Sequence, residues 1–305
     1  MNLAESATLQ NPLFMKVGMA FTQRHGAKVA THLAQINNGT REFDWQEHHG
    51  LGASQHAWAG FNLGDHVKDA PHAVQANRKQ LQQLIGHPIE IVRQVHGTHV
   101  CVVQQPGDAQ ACEQGADALV TRVPGLSLVM LVADCLPVLF YSCRHQVVAA
   151  AHAGWRGLAA GILESTLQAM ALQGQCSTHD LCEDLQVWLG PCIGPNAFEV
   201  GPEVIEAFVN SQGKQAVSLA MQSALQPAAQ ERGACALLNL PQLARLQLQN
   251  RGVALKNIGG NDGSAPWCTF DNEALFFSHR RSTLRGEGAC GRMAACIWLE
   301  PHSRT

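Results

Sequence analysis

Apolar residues along the chain gather into short runs bounded by turn residues, and these runs predict buried strands. The two that organise the rest lie in the stretch 126–158. Residues 126–132 are apolar apart from Ser127 and lead into Ala133-Asp134-Cys135. Residues 147–151 lead into His152-Ala153-Gly154-Trp155. Pro137 predicts a break just after the first run. Further strands are expected at residues 17–21, 89–95, 100–103, 116–121, 185–189 and 292–299. Helices are expected at residues 71–85, 157–172, 202–210, 215–226 and 239–250. Pro71 suits a first helical turn and Asn239 an N-cap. Residues 26–56 are polar and read as a loop or ragged insertion, with His48-His49 in solvent. Residues 275–281 lead into another loop. Strands and helices mix without strict alternation, so the expected class is α+β. The expected organisation is a single domain over residues 1–305, with a variable N-terminal segment in 1–56.

Composition narrows the function classes. A formal charge of −3 gives no reason to expect nucleic acid as a partner. No apolar run is long enough to span a bilayer, and nothing near Met1 resembles a signal peptide. The eleven cysteines include no C-x-x-C pair. An odd number without that pattern points to free thiols in a reducing, cytoplasmic setting.

Three strand ends carry the candidate chemistry: His96, Cys135 and His152. Two imidazoles and a thiolate with an open fourth position form a plausible catalytic zinc set, because bound water then ionises near neutral pH. The bland alternative is two hydrogen-bonded core histidines and a buried thiol. A third reading makes Cys135 a nucleophile and His152 its base. Asp134 adjoins Cys135 and is a candidate proton carrier. Arg24, Arg78, Arg93, Arg156, Arg280 and Arg281 are candidate anion holders, the pair Arg280-Arg281 being the more suggestive. No dinucleotide or Walker-type nucleotide motif is present, and the glycine clusters at 190–194 and 259–263 read as tight turns.

Several blocks taken together resemble the laccase-domain family, also called the polyphenol oxidase, purine nucleoside phosphorylase or peptidoglycan editing factor family. They are NLGDHV (62–67), NRKQL (77–81), QVHGTHV (94–100), ADALVT (116–121), ADCLPVLF (133–140), AHAGWRGL (151–158), LGPCIGPNAFEVGPEV (189–204) and FFSHRR (276–281). The blocks run in family order. The resemblance implies a four-layer α/β/β/α fold with mixed sheets, like the deamidase domain of cytotoxic necrotizing factor toxins. It implies a zinc site at His96, Cys135 and His152, with copper able to substitute in some preparations. It places Asn62 and Arg78 near the cleft, with Arg24, in FTQRHG, on its border. Residues 27–56 and a long loop after Arg281 depart from the family pattern.

The activity so implied is that of a zinc enzyme on purine nucleosides. It deaminates adenosine to inosine and phosphorolyses adenosine, inosine, guanosine and methylthioadenosine. Arg78 or Arg280 would hold phosphate, and Asp134 or a neighbouring polar group would shuttle protons. The partners expected are a nucleoside and phosphate, acting on a monomer, with no nucleic acid and no membrane. An alternative is an amidase correcting UDP-MurNAc-L-Ser in peptidoglycan synthesis. Another is a copper polyphenol oxidase, or laccase. Against it, multicopper sites need about ten imidazoles, many in H-x-H pairs. This chain has fifteen histidines and no H-x-H. A metal-dependent binding module without turnover is the non-enzymatic alternative.

Overall fold

The structure is a computed structural model, and it describes residues 17–30, 33–37, 40–43, 46–222, 233 and 236–301. The N-terminal half contains β1 (Val17–Gln23), β2 (Gly26–Ala30), β3 (Leu33–Asn37), β4 (Thr40–Phe43), β5 (Gln46–His49), α1 (Pro71–Ile85), β6 (Ile89–Ile91) and β7 (Val100–Val102). The central stretch contains β8 (Ala118–Thr121), β9 (Ser127–Val132), β10 (Leu136–Ser142), β11 (Val147–Ala153), α2 (Trp155–Ala160), α3 (Ile162–Gly174), α4 (Thr178–Asp184) and β12 (Leu185–Leu189). There follow β13 (Glu199–Val200), α5 (Pro202–Gln212), α6 (Lys214–Ala220), β14 (Met221–Gln222), β15 (Ala236–Leu238) and α7 (Leu240–Asn250). The last elements are β16 (Ile258–Gly260), α8 (His279–Leu284) and β17 (Met293–Leu299).

Two six-stranded mixed sheets form the centre. The first runs β5-β2-β1-β17-β9-β6 and the second β16-β12-β10-β11-β8-β7. Strand alternation shows how they stack. In β9, Leu128 and Met130 join one apolar cluster with Leu139, Tyr141, Val148 and Ala150 of the second sheet. Val129 and Leu131 face the other way, into a cluster with Leu81 and Ile85 of α1. In β11, Val148 and Ala150 face the first sheet. Ala149 and Ala151 instead pack with Leu163 and Leu167 of α3. Each sheet therefore has both faces covered, giving helix, sheet, sheet and helix in four layers. Burial on both faces is why the strands read as unbroken apolar runs rather than alternating ones.

The structure corrects several element expectations. Residues 26–49 include β2 and β5, which pair with each other and extend the first sheet, rather than an insertion loop. Lys28 and Glu47, cross-strand partners there, form an ion pair that suits exposed polar strands. Pro137 does not interrupt the chain: it lies inside β10, opposite His152. Its carbonyl still accepts from Gly190 N–H, so the missing N–H removes one ladder bond only. The helix expected over 157–172 is two helices, broken where Gly161 adopts φ 98°. The helix expected over 215–226 ends at Ala220; its last residues, 223–226, lie outside the described residues. The loop after Phe277 contains α8, capped by Ser278. Asn239 caps α7 as expected, accepting from Gln242 N–H at 3.0 Å.

Candidate metal centre

The site sits at the seam between the sheets. Strand β9 belongs to the first sheet and β10 to the second, so the chain changes sheets at Ala133-Asp134-Cys135. His152 lies on β11 beside Pro137. His96 follows β6 of the first sheet, in a loop positioned from two sides. Gln94 exchanges two hydrogen bonds with the Leu131 backbone, its amide taking the place of a strand residue beside β9. Three successive N–H groups, of Val95, His96 and Gly97, then donate to the Asp117 carboxylate. These bonds hold His96 at φ 60°, a conformation uncommon outside glycine.

Asp117 fixes the second imidazole as well. It has no exposed surface, and its Oδ1 lies 2.9 Å from His152 Nδ1. A carboxylate there requires a proton on Nδ1, which leaves His152 Nε2 as the nitrogen with a free lone pair. One buried carboxylate thus sets the backbone of one imidazole and the tautomer of the other. Burial pushes Asp117 up, but His152 and the Gly97 and His96 N–H groups outweigh it, and the carboxyl stays below its ordinary range.

Ligand atoms of His96, Cys135 and His152 all lie within 4.8 Å of one another. Cys135 Sγ is 3.9 Å from His96 Nε2. A tetrahedral zinc ion with ordinary bond lengths separates a sulfur and a nitrogen ligand by about 3.6 Å, so a small contraction completes the set. Gly154 leaves the space for it. A Cβ on Gly154 would stand 3.0 Å from Cys135 Sγ and 3.1 Å from the His96 ring. Among the described residues this is the one cluster of three such donors.

The electrostatics are those of a donor set suited to a cation. Burial pushes the Cys135 thiol up, but charge and hydrogen bonding from His152, then His96, overcome it and bring it to about 6. Burial pulls His152 down, but the Cys135 charge and Asp117 raise it to about 9. Without a metal, the pair is a thiolate beside an imidazolium near neutral pH. A divalent ion would take the place of that imidazolium proton.

The three donors line a cleft of about 650 Å³. Asp65, His66, Arg78, Arg93, His279 and Arg292 supply its other titratable side chains. Of the expected anion and substrate residues, Arg78 and Arg93 are among the lining residues. Asn62 is fully buried and is a brace: it donates to Asp69 and accepts from Gly64 and Arg292 N–H groups. Arg24 lines a different cavity, where it bonds the Ala59 and Glu273 carbonyls. Arg280 ties down the Ala197 and Glu199 carbonyls, and only its backbone N–H reaches toward this region. Asp134, at φ 89°, has both carboxylate oxygens engaged, accepting from Thr269 Oγ1 and Arg280 N–H, both at 2.6 Å. That takes it out of the expected proton-shuttle role.

Residues 45–300 match the profile of the family described as multi-copper polyphenol oxidoreductase laccase. The chain belongs to that family. It is 41% identical over 251 residues to a Haemophilus influenzae protein named purine nucleoside phosphorylase, spanning 82% of this chain and 91% of the relative. It is 40% identical over 250 residues to purine nucleoside phosphorylase YfiH of Escherichia coli strain K12, spanning 81% and 90%. Among solved structures, Neisseria meningitidis protein NMB0706 superposes with a TM-score of 0.67 at 34% identity, over 92% of this chain and 99% of that one. YlmD from Geobacillus stearothermophilus gives 0.70 at 27% identity, over 91% and 93%. This laccase-family chain shares its fold and most of its length with these relatives. Among its described residues no helix is long and apolar enough to cross a membrane.

Sequence reasoning missed Asp117, Gly154, His66, His279 and Arg292. Asp117 left a signal, a lone carboxylate at the start of the apolar ADALVT run. Arg292 left none, because a single arginine before a final strand reads as a solvated charge.

Proposed function

We propose that this protein is a zinc-dependent purine nucleoside enzyme, acting by phosphorolysis and by deamination of adenosine. The observation that carries the reading is the His96–Cys135–His152 donor set at one end of a cleft. The names of relatives about 40% identical support the substrate class. A cleft of about 650 Å³ is in the range that encloses a small organic ligand. When bound, zinc supplies electrophilic activation at that end of the cleft.

The chain's own residues supply the rest. Asp117 keeps His152 in the Nδ1-protonated form. Leu131 and Ala133 give the cleft apolar surface for a purine ring. In phosphorolysis a phosphate oxygen bonds to the ribose anomeric carbon as the bond to the base nitrogen breaks. The base leaves with the electron pair and takes up a proton. In deamination water adds at the purine carbon that carries the amine, and ammonia leaves. His66 and His279 are the imidazoles that border the cleft without a place in the donor set, and one of them carries the proton in place of Asp134. Among the described residues one three-donor cluster is a poor basis for multicopper oxidation, which requires several coupled centres.

The test is metal analysis with nucleoside turnover on wild type and Cys135→Ala. Wild type is expected to hold about one zinc per chain. The variant is expected to lose both zinc and turnover. Full activity in Cys135→Ala would exclude the metal and the nucleophile mechanisms together. Chelated wild type separates those two: loss of turnover on chelation, restored by zinc, requires the metal. Assays on UDP-MurNAc-L-Ser and on a phenol, run beside adenosine and inosine, decide the substrate class.

A further inference from the structure

Arg292 combines three observations. It lines the cleft with the metal donors. Its Nη1 is anchored by the Cys290 and Gly291 carbonyls and by Cys290 Sγ. Its Nε and Nη2 have no hydrogen-bond partner among the described residues. A guanidinium anchored on one side with free N–H groups on the other is arranged to receive a two-oxygen acceptor.

The surrounding chain is built around it. Asn62 Oδ1 accepts from the Arg292 N–H at 2.8 Å, and Leu63 N–H donates to the Arg292 carbonyl at 3.0 Å. A Cβ on Gly64 would meet Arg292 Cγ at 2.7 Å, so only glycine lets this side chain lie where it does. Arg78 reaches the same loop, donating from Nε to the Leu63 carbonyl at 3.0 Å. Its Nη2 stands 3.0 Å from Asp65 Oδ2 in an ion pair, but off the hydrogen-bonding direction, so this buried group lacks a directed acceptor. The NLGDHV block therefore positions two arginines at one wall. Asp65, mostly exposed, is the one carboxylate lining the cleft, against Arg78, Arg93 and Arg292. Burial and then the Arg292 charge pull both His66 and His279 down, which places that charge close to both imidazoles.

We infer that Arg292, with Arg78 beside it, forms the binding site for the inorganic phosphate co-substrate. The assignment rests on the phosphorolytic reading of the cleft. It moves the anion from Arg280, whose guanidinium is occupied by carbonyls, to a residue whose N–H groups are free. A phosphate dianion there accepts from Arg292 Nε and Nη2, with the Arg78 charge beside them.

The experiment uses zinc-loaded full-length protein and has two readouts. The first is calorimetric titration with inorganic phosphate in the absence of nucleoside. The second is the KM for phosphate in inosine phosphorolysis, beside kcat for adenosine deamination, which consumes no phosphate. Arg292→Met is expected to raise the phosphate Kd and KM roughly tenfold or more, because two charge-assisted hydrogen bonds are lost. Zinc content is expected to stay within about twofold, as no metal ligand is touched. Deamination kcat, compared at each protein's pH optimum because His66 and His279 lose a neighbouring charge, is expected to fall by less than the phosphate KM rises. Gly64→Ala is a second variant, which displaces the guanidinium without removing it and is expected to weaken phosphate in the same direction. Thermal melts confirm that both remain folded.

Unchanged phosphate affinity in folded Arg292→Met overturns the assignment, as does the absence of phosphate binding by wild type. Absence of nucleoside turnover with intact, Arg292-dependent phosphate binding would instead remove the purine reading and leave the anion site standing. Adenosine 5′-monophosphate is the remaining arm. If it binds more tightly than adenosine only when Arg292 is present, the arginine serves a substrate phosphate, and the co-substrate assignment is overturned.

Discussion

Two cavities of this chain are lined by arginines and histidines, two and one in the first against three and four in the second, and they differ in how far those groups are already bonded. The cavity around Arg24 and Arg281 has a volume of about 430 Å³, and the cleft around Cys135 about 650 Å³. In the first, the guanidinium groups are bonded mainly to backbone carbonyls. Arg281 donates to the Thr269, Phe270 and Phe276 carbonyls, all within 2.8 Å. Arg24 bonds two carbonyls and lies over the Phe277 ring, and Arg285 grips Glu273 through two hydrogen bonds. In the second, a sulfur and two nitrogens converge on a gap, and two guanidinium groups retain undirected N–H bonds. Charge and concavity are common to both; free bonding capacity separates them.

The largest effect is expected at the residue that keeps the second cavity in order. Asp117→Ala leaves three part-buried backbone N–H groups and a buried imidazole N–H without their acceptor. Breaking a buried charged network in this way costs about 3–5 kcal/mol, read as a shift in the urea midpoint. Asp117→Asn keeps the shape but weakens the clamp on His152. Its zinc affinity is expected to fall roughly 10–100-fold. Wild-type affinity in Asp117→Asn would mean that the donors are preorganised without this carboxylate.

Gly154→Ala tests the gap itself. The added methyl enters the space between the donors, with two contacts near 3 Å. Zinc affinity is expected to drop about tenfold, with less than ~1 kcal/mol change in stability, because the methyl is small and the backbone φ of −64° suits alanine. A stability loss without a loss of affinity would show that the gap is packing space and not a coordination position.

Proton linkage gives a graded test. With Cys135 at about 6 and His152 at about 9, the metal-free site near pH 7.5 holds a thiolate and an imidazolium. Zinc needs the thiolate and a neutral His152 Nε2, so binding displaces about one proton there, not two. Affinity should therefore rise about tenfold per pH unit between 6 and 9 and level off above 9. Below 6 the thiol is protonated too, and the slope should steepen. Calorimetry in buffers of different ionisation enthalpy counts the protons; release of two at pH 7.5 would mean a protonated thiol beside an imidazolium, and so no single proton shared by the pair.

How much of this was legible in the sequence follows from the range of the interactions. The runs of β9 and β11 and the α1 boundaries are local signals, and their core positions stand in the structure. The three donors were legible because each ends an apolar run, although their convergence depends on the crossing between sheets at Asp134. That crossing also explains the misreading of Asp134 and Pro137. Adjacent to Cys135 in sequence, Asp134 faces Thr269, a partner 135 residues away. The sequence favoured Arg280 over Arg292, yet what separates them is which carbonyls occupy a guanidinium. Such long-range satisfaction of hydrogen bonds leaves no periodicity to read.

The smallest expected effect is the sharpest check on the contrast between the cavities. Arg24 sits in a block that resembles a cleft border, yet its guanidinium is held by Ala59, Glu273 and Phe277. Arg24→Met keeps an apolar stem over Phe277 and removes two hydrogen bonds to carbonyls. Stability should fall by about 1–2 kcal/mol, since each such bond contributes roughly 0.5–1.5 kcal/mol. Turnover, zinc content and phosphate affinity should stay within about twofold of wild type, because no cleft-lining atom is removed. Kinetics and a melt on the one variant decide it. A tenfold loss of turnover with full zinc occupancy would mean that the first cavity communicates with the second through Phe277 and Ser278. Satisfied hydrogen bonds would then no longer suffice to rule a cavity out as part of the site.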